Sequence, residues 1–123
     1  MMTDRHAKGL RNHLAGGAAE HSVLRRYLDT GFALLAHRWR GQGGEIDLIV
    51  QRGGEVVFVE VKKARSFDAA LTHLLPRQVA RLMQAGAEFL GTQPLGQLTP
   101  ARFDVAMVDA SGDVAILENA LIA

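Results

Sequence analysis

Asp47, Glu60 and Lys62 are charged side chains set into a stretch that is otherwise apolar. Val and Ile dominate from Ile46 to Val50 and from Val56 to Val61, a composition that suits β-strands. Gly53-Gly54 between the two runs fits a two-residue hairpin loop. That loop opposes Ile49 to Phe58, Asp47 to Glu60 and Glu45 to Lys62. Side chains alternate across a strand. Glu45, Asp47, Ile49, Phe58, Glu60 and Lys62 therefore share one face. Ile46, Leu48, Val50, Val57, Val59 and Val61 share the other, purely aliphatic one.

Opposed side chains have β-carbons about 4.5–5.5 Å apart, and like charges there repel. Burial makes the repulsion worse, because a desolvated carboxylate is costly or goes neutral. A hard cation converts the repulsion into coordination. Mg²⁺ accepts oxygen ligands and favours one or two carboxylates with waters and phosphate oxygens. Lys62 lies on the same face, where it can position or activate a water or offset charge on a phosphate. The competing reading is a solvated salt-bridge face. Val56 and Phe58 beside the acids speak against full solvation.

The chain has 123 residues, which suits one domain over 1–123. Its 48% hydrophobic and 22% charged content is that of a globular domain. No apolar run approaches the roughly 18 residues that span a bilayer, so no membrane partner is expected. The start, Met1-Met2-Thr3-Asp4-Arg5-His6, leads into no apolar signal core. Cysteine is absent, which excludes disulfides and thiolate metal sites. Cytoplasmic residence is the expectation. Net charge is +1 but uneven. Residues 1–40 carry seven Lys and Arg against three acids, and residues 100–123 carry one against four. A basic N-terminal half suits phosphate contact.

The elements that must position these groups follow from periodicity and punctuation. A loose start over 1–17 precedes a helix from Ala18 to Asp29 that stops before Gly31. Phe32 to Arg40 reads as a strand, and Gly41-Gln42-Gly43-Gly44 as a turn. After the hairpin, a loop or short helix spans Ala64 to Leu75. A second helix starts near Pro76, a good first-turn residue, and ends near Leu90-Gly91. Arg102 to Val108 and Val114 to Leu117 are strands around a turn at Ser111-Gly112-Asp113. The order α-β-β-β-α-β-β implies a mixed sheet with helices packed on it.

Both helices place a polar residue on the apolar stripe. Glu20 shares a face with Val23, Leu24 and Tyr27. Gln78 shares one with Leu82 and Phe89. Both can project toward Asp47 and Glu60, Glu20 as a direct or water-mediated metal ligand and Gln78 as a water or phosphate positioner. Arg77 and Arg81, with Lys63 and Arg65, can line a phosphate path. The histidines His6, His13, His21 and His37 show no ligand spacing with one another, so zinc is not expected. The glycines at 41, 43 and 44 precede a strand, not a helix, and make no phosphate-binding loop of the usual kind.

Asp47 followed by Glu60-Val61-Lys62 resembles the D…ExK signature of the restriction-endonuclease-like nucleases. More closely, the chain is similar to the YraN family of small bacterial predicted endonucleases. The resemblance runs through Ala19-Glu20, Tyr27-Leu28, Trp39-Arg40, Gly44 to Ile49, Val57 to Lys62, Pro76-Arg77-Gln78 and Arg102 to Val105. It covers nearly the whole chain from about residue 16. It implies a restriction-endonuclease-like mixed central β-sheet flanked by helices. It implies Asp47 and Glu60 as ligands of Mg²⁺ or Mn²⁺, with the Val61 carbonyl as a third. Glu20 and Gln78 match the family's first-helix glutamate and second-helix glutamine, and Lys62 its lysine serving the attacking water. Related Holliday-junction resolvases act as dimers, which suggests a homodimer. Two departures stand out: Lys63-Ala64-Arg65 replaces the usual Thr-Arg pair after the lysine, and Arg77 replaces the usual Lys before the glutamine. Both preserve positive charge.

The expected function is a divalent-metal-dependent nuclease hydrolysing phosphodiester bonds in DNA, with branched or damaged DNA among the candidate substrates. Its expected site residues are Glu20, Asp47, Glu60, Lys62 and Gln78, with Asp47, Glu60, Val61 and Glu20 on the metal. Arg40, Lys63, Arg65, Arg77 and Arg81 are the expected nucleic-acid contacts. Two alternatives stay open: a nucleic-acid-binding or adaptor module without turnover, and a structural domain with a charged sheet face.

Overall fold

The computed structural model describes residues 17–121. The loose start expected over 1–17 falls outside them, apart from a buried Gly17. Helix α1 (Ala18–Asp29) leads into strand β1 (Ala33–Arg40), β2 (Glu45–Arg52) and β3 (Glu55–Lys63). A short helix α2 (Phe67–Thr72), a long helix α3 (Pro76–Leu90) and a single 3₁₀ turn (Gly96–Leu98) follow. Strands β4 (Ala101–Val108) and β5 (Val114–Leu117) complete the order. The short helix α2 resolves the stretch 64–75 that was open between loop and helix.

The five strands form one sheet in the order β1-β2-β3-β4-β5. Only β3 and β4 run parallel. They are joined by α2 and α3, the helical crossover that parallel neighbours require. The β2–β3 turn has φ +59 at Gly53 and +84 at Gly54, which a two-residue hairpin of the primed type needs and only glycine adopts freely. The mixed sheet with flanking helices is compatible in strand order with a restriction-endonuclease-like fold.

Each sheet face carries its own core. On one, Val23, Leu24 and Tyr27 of α1 pack on Leu48, Val50, Val57, Val59, Ala106 and Val108. On the other, Leu82, Ala85 and Phe89 of α3 pack on Ile46, Ile49, Val56 and Phe58. Helix α3 comes close at Gly86, where an added β-carbon would lie 2.7 Å from the Phe103 ring.

Ile46 belongs to the α3 face, against the alternation that put it with Leu48. The cause lies at Arg38 and Asp47. The β1–β2 ladder pairs His37 with Leu48 and Trp39 with Ile46, which brackets these two residues. Arg38 has φ +50, outside the region that strands use. Both strands change phase there. His37 bonds to Glu20 of α1, whereas Trp39 meets Phe89 of α3 edge-on at 5.4 Å between ring centroids. A strict period of two could not foresee the break.

Candidate metal centre

Asp47 sits where the hairpin ladder ends. The β2–β3 pairs run from Arg52–Glu55 to Leu48–Val59, the register expected from the Gly-Gly turn. Beyond them the Asp47 side chain replaces the ladder: its Oδ2 accepts from the Val61 N–H at 2.8 Å. In a strand, one residue's N–H and C=O point to the same side. The Val61 carbonyl therefore also turns toward the edge that β2 has left.

Glu60 is 6% exposed and lies against Asp47, the two carboxyl groups within hydrogen-bonding reach. Its Oε2 accepts from Gln78 Nε2 at 2.8 Å and is 3.4 Å from Lys62 Nζ. Gln78 reaches it from the first turn of α3, which Pro76 opens at a position where a missing N–H is harmless. Burial, then the hydrogen bond and charge of Asp47, push the Glu60 carboxyl from 4.5 up to about 8; Lys62 opposes the shift. The opposition of Glu45 to Lys62 does not form. Lys62 turns to Glu60, and Glu45 pairs across the sheet with Arg40 at 3.2 Å.

Glu20 stands apart from this pair. Its Oε2 contacts His37 Nε2 at 2.6 Å and accepts from Arg38 Nε at 3.2 Å, while its Oε1 faces Arg38 Nη2 at 3.0 Å. Among the described residues, no group of three or more His, Asp or Glu side chains is placed to hold a metal ion. Glu20 is thus not a third carboxylate beside Asp47 and Glu60 in this arrangement. The reason is local: the phase break at Arg38 brings two basic side chains under α1.

The donor set that remains is all oxygen: two carboxylates and a backbone carbonyl. A buried acid beside a second carboxylate is matched by a small hard cation, and two carboxylates suffice for one that keeps waters. Mg²⁺ or Mn²⁺ fits these oxygen donors; zinc favours imidazole or thiolate ligands, and among the described residues no histidine joins the two acids in a ligand group.

The expected nucleic-acid contacts do not form one path. Arg77 and Arg81 are exposed on α3. Lys63 and Arg65 line a cleft of about 440 Å³ on the α1 side, with Ala18, Ser22 and Asp109. Arg40 is exposed but engaged by Glu45.

Sequence reasoning missed three residues. Arg38 counted only toward the basic N-terminal half, and His37 was weighed only as a zinc ligand that its spacing spoke against. Glu88 of α3 accepts from the backbone N–H groups of Gln42 and Gly43 at 3.2 and 3.1 Å and so fastens the glycine turn. The signal for that docking was the glycines themselves: a β-carbon on Gly43 would lie 2.6 Å from Gln84.

Comparison with known proteins adds the lineage. The model of the uncharacterised protein family UPF0102 matches residues 19–108, which include every site residue named above. A UPF0102 protein of Ruegeria pomeroyi is 59% identical over 93% of this chain and 93% of its own length. Another from Roseobacter denitrificans is 53% identical over 94% of this chain and 89% of its own. One from Cereibacter sphaeroides is 52% identical over 91% of this chain and 96% of its own. The chain belongs to the uncharacterised protein family UPF0102, the YraN family.

Proposed function

We propose that this protein is a divalent-metal-dependent nuclease that hydrolyses phosphodiester bonds in DNA. The observation that carries the reading is the Asp47–Glu60 contact, with Lys62 Nζ 3.4 Å and Gln78 Nε2 2.8 Å from the same Glu60 oxygen. Asp47, Glu60 and the Val61 carbonyl would hold Mg²⁺ or Mn²⁺. Such an ion supplies Lewis acidity toward a phosphoryl oxygen and a more acidic water. Gln78 fixes the Glu60 carboxylate in one orientation. The Val61 amide does the same for Asp47. Lys62 brings positive charge to where a phosphoryl group gains negative charge, and in a partly dry site that charge is weakly screened. Cytoplasmic residence and a homodimer complete the reading. Among the described residues, no helix is long and apolar enough to cross a membrane.

The test is cleavage of single-stranded, duplex and branched DNA in Mg²⁺ or Mn²⁺. The wild type is expected to cleave at least one of them. Asp47→Ala combined with Glu60→Ala is expected to abolish cleavage. Activity that survives this double substitution contradicts the reading.

A second reading is a nucleic-acid-binding module without turnover. It draws on one observation: among the described residues, no buried side-chain nitrogen or oxygen lacks a hydrogen-bond partner, so Glu60 is satisfied without an ion. Salt-dependent DNA binding that ignores divalent ions and survives Glu60→Ala would favour it.

A further inference from the structure

We propose that Arg38 contacts a backbone phosphate of the nucleic acid, and that Glu20 and His37 are positioning residues that hold it there. This rests on the nuclease reading above. The backbone position argues first. Arg38 sits at φ +50 inside a strand, a conformation that favours Gly or Asn. What an arginine contributes there is its side chain.

The side chain is pre-set. Glu20 grips it through two nitrogens, Nε at 3.2 Å and Nη2 at 3.0 Å. This fork fixes the guanidinium plane. His37 holds the Glu20 oxygen from the other side at 2.6 Å. Gly17 leaves room for the group: a β-carbon there would lie 3.1 Å from Arg38 Nη2. The third nitrogen, Nη1, takes part in neither contact with Glu20, and the side chain is 36% exposed. A guanidinium so held keeps donors for one more oxyanion.

Its location gives that oxyanion a meaning. Arg38 and Asp47 lie between the same two ladder pairs, His37–Leu48 and Trp39–Ile46, and Glu45 and Asp47 add weaker attractions to that of Glu20. Lys62 stands by the acid pair on the α3 side of the sheet. Arg38 is held to helix α1 on the other side, within the weaker attraction of Asp47. A polyanion approaching two carboxylates meets a cation on each flank. The other basic candidates are exposed and carry no comparable anchoring.

The test separates this assignment from a purely structural staple between α1 and β1, and from Glu20 as a metal ligand. Binding of labelled duplex, single-stranded and branched DNA is measured in Ca²⁺ over a salt series, and Mn²⁺ binding to the free protein by calorimetry. Arg38→Gly relieves the backbone and removes the side chain. It is expected to weaken DNA binding about tenfold and to flatten the salt slope by about one, with Mn²⁺ affinity unchanged. Arg38→Lys, which keeps the charge, is expected to keep the slope and lose part of the affinity. Glu20→Ala is expected to weaken DNA binding and raise KM more than it lowers kcat, with Glu20→Gln recovering part of the loss. Wild-type DNA affinity and slope in Arg38→Gly would overturn the assignment. So would a loss of Mn²⁺ affinity in Glu20→Ala as large as in Asp47→Ala. DNA binding that depends on Arg38 without cleavage in any divalent ion would remove the nuclease reading and leave the phosphate contact standing.

Discussion

Asp47 Oδ2 accepts a hydrogen bond from the Val61 amide at 2.8 Å, just past Leu48–Val59, the last β2–β3 ladder pair. A side chain thus takes the place of a backbone carbonyl. The backbone pairing of β2 with β3 ends there, beside Asp47, Glu60 and Val61. The β3–β4 pairs continue through Glu60, Lys62 and Lys63, so the opposite edge of β3 stays hydrogen-bonded. Glu60 is thus mounted on a strand paired on its far side, and Asp47 meets that strand from the end of the β2–β3 ladder.

The raised Glu60 carboxyl makes stability depend on pH in a definite direction. Between about 4.5 and about 8 the folded protein binds more protons than the unfolded chain. Stability of the metal-free protein therefore falls as pH rises through that window. Glu60→Gln, which cannot ionise, is expected to gain roughly 1 kcal/mol or more over wild type at pH about 8 and little at pH about 5. Urea melts at the two pH values check this.

Metal binding must displace the same proton. The rise in melting temperature on adding Mn²⁺ is expected to grow from pH about 6 to pH about 8, with proton release on binding. Calorimetry in buffers of different ionisation enthalpy measures that release. A shift in melting that does not change with pH would separate the ion from Glu60.

Asp104 is fully buried and takes Tyr27 Oη at 2.7 Å, Arg102 Nε at 3.0 Å and the Asn119 amide at 3.0 Å. Burial and the Asp104 carboxylate raise the Tyr27 pKa, so the phenol stays protonated as a donor. Asp104→Ala leaves Arg102 with Glu55 at 3.0 Å and Glu118 at 3.6 Å but takes the acceptor from the buried Tyr27 hydroxyl, and is expected to destabilise by about 2–3 kcal/mol. Tyr27→Phe leaves the carboxylate paired with Arg102 and is expected to lose only about 1 kcal/mol. Denaturant melts of both variants give the comparison.

Gly86→Ala would improve helix propensity by about 1 kcal/mol in an exposed helix. Here the new methyl would lie 2.7 Å from Phe103 and 3.3 Å from Phe58, whose rings pack at 4.7 Å between centroids. The expected result is a net loss of about 1–3 kcal/mol, seen as a lower melting temperature.

Much of this arrangement was legible in the residues. The Gly-Gly turn set the hairpin register, and with it the neighbourhood of Asp47 and Glu60. The spacing of Gln78 to Leu82 and Phe89 aimed it at the sheet, where it meets Glu60. The same logic put Glu20 inward but misjudged its company. That depended on a left-handed residue within β1, and no periodicity encodes a single φ. For the same reason Ile46 changed faces. The partner of Lys62 was missed because the ladder stops before Glu45 can oppose it.

The central claim is that Asp47 and Glu60 together grip one divalent ion. Anomalous diffraction from a crystal soaked in Mn²⁺ tests it most directly. The account predicts a peak within coordinating distance, about 2.0–2.3 Å, of a carboxylate oxygen from each residue. A peak elsewhere, with these two carboxylates left unliganded in saturating Mn²⁺, would contradict it.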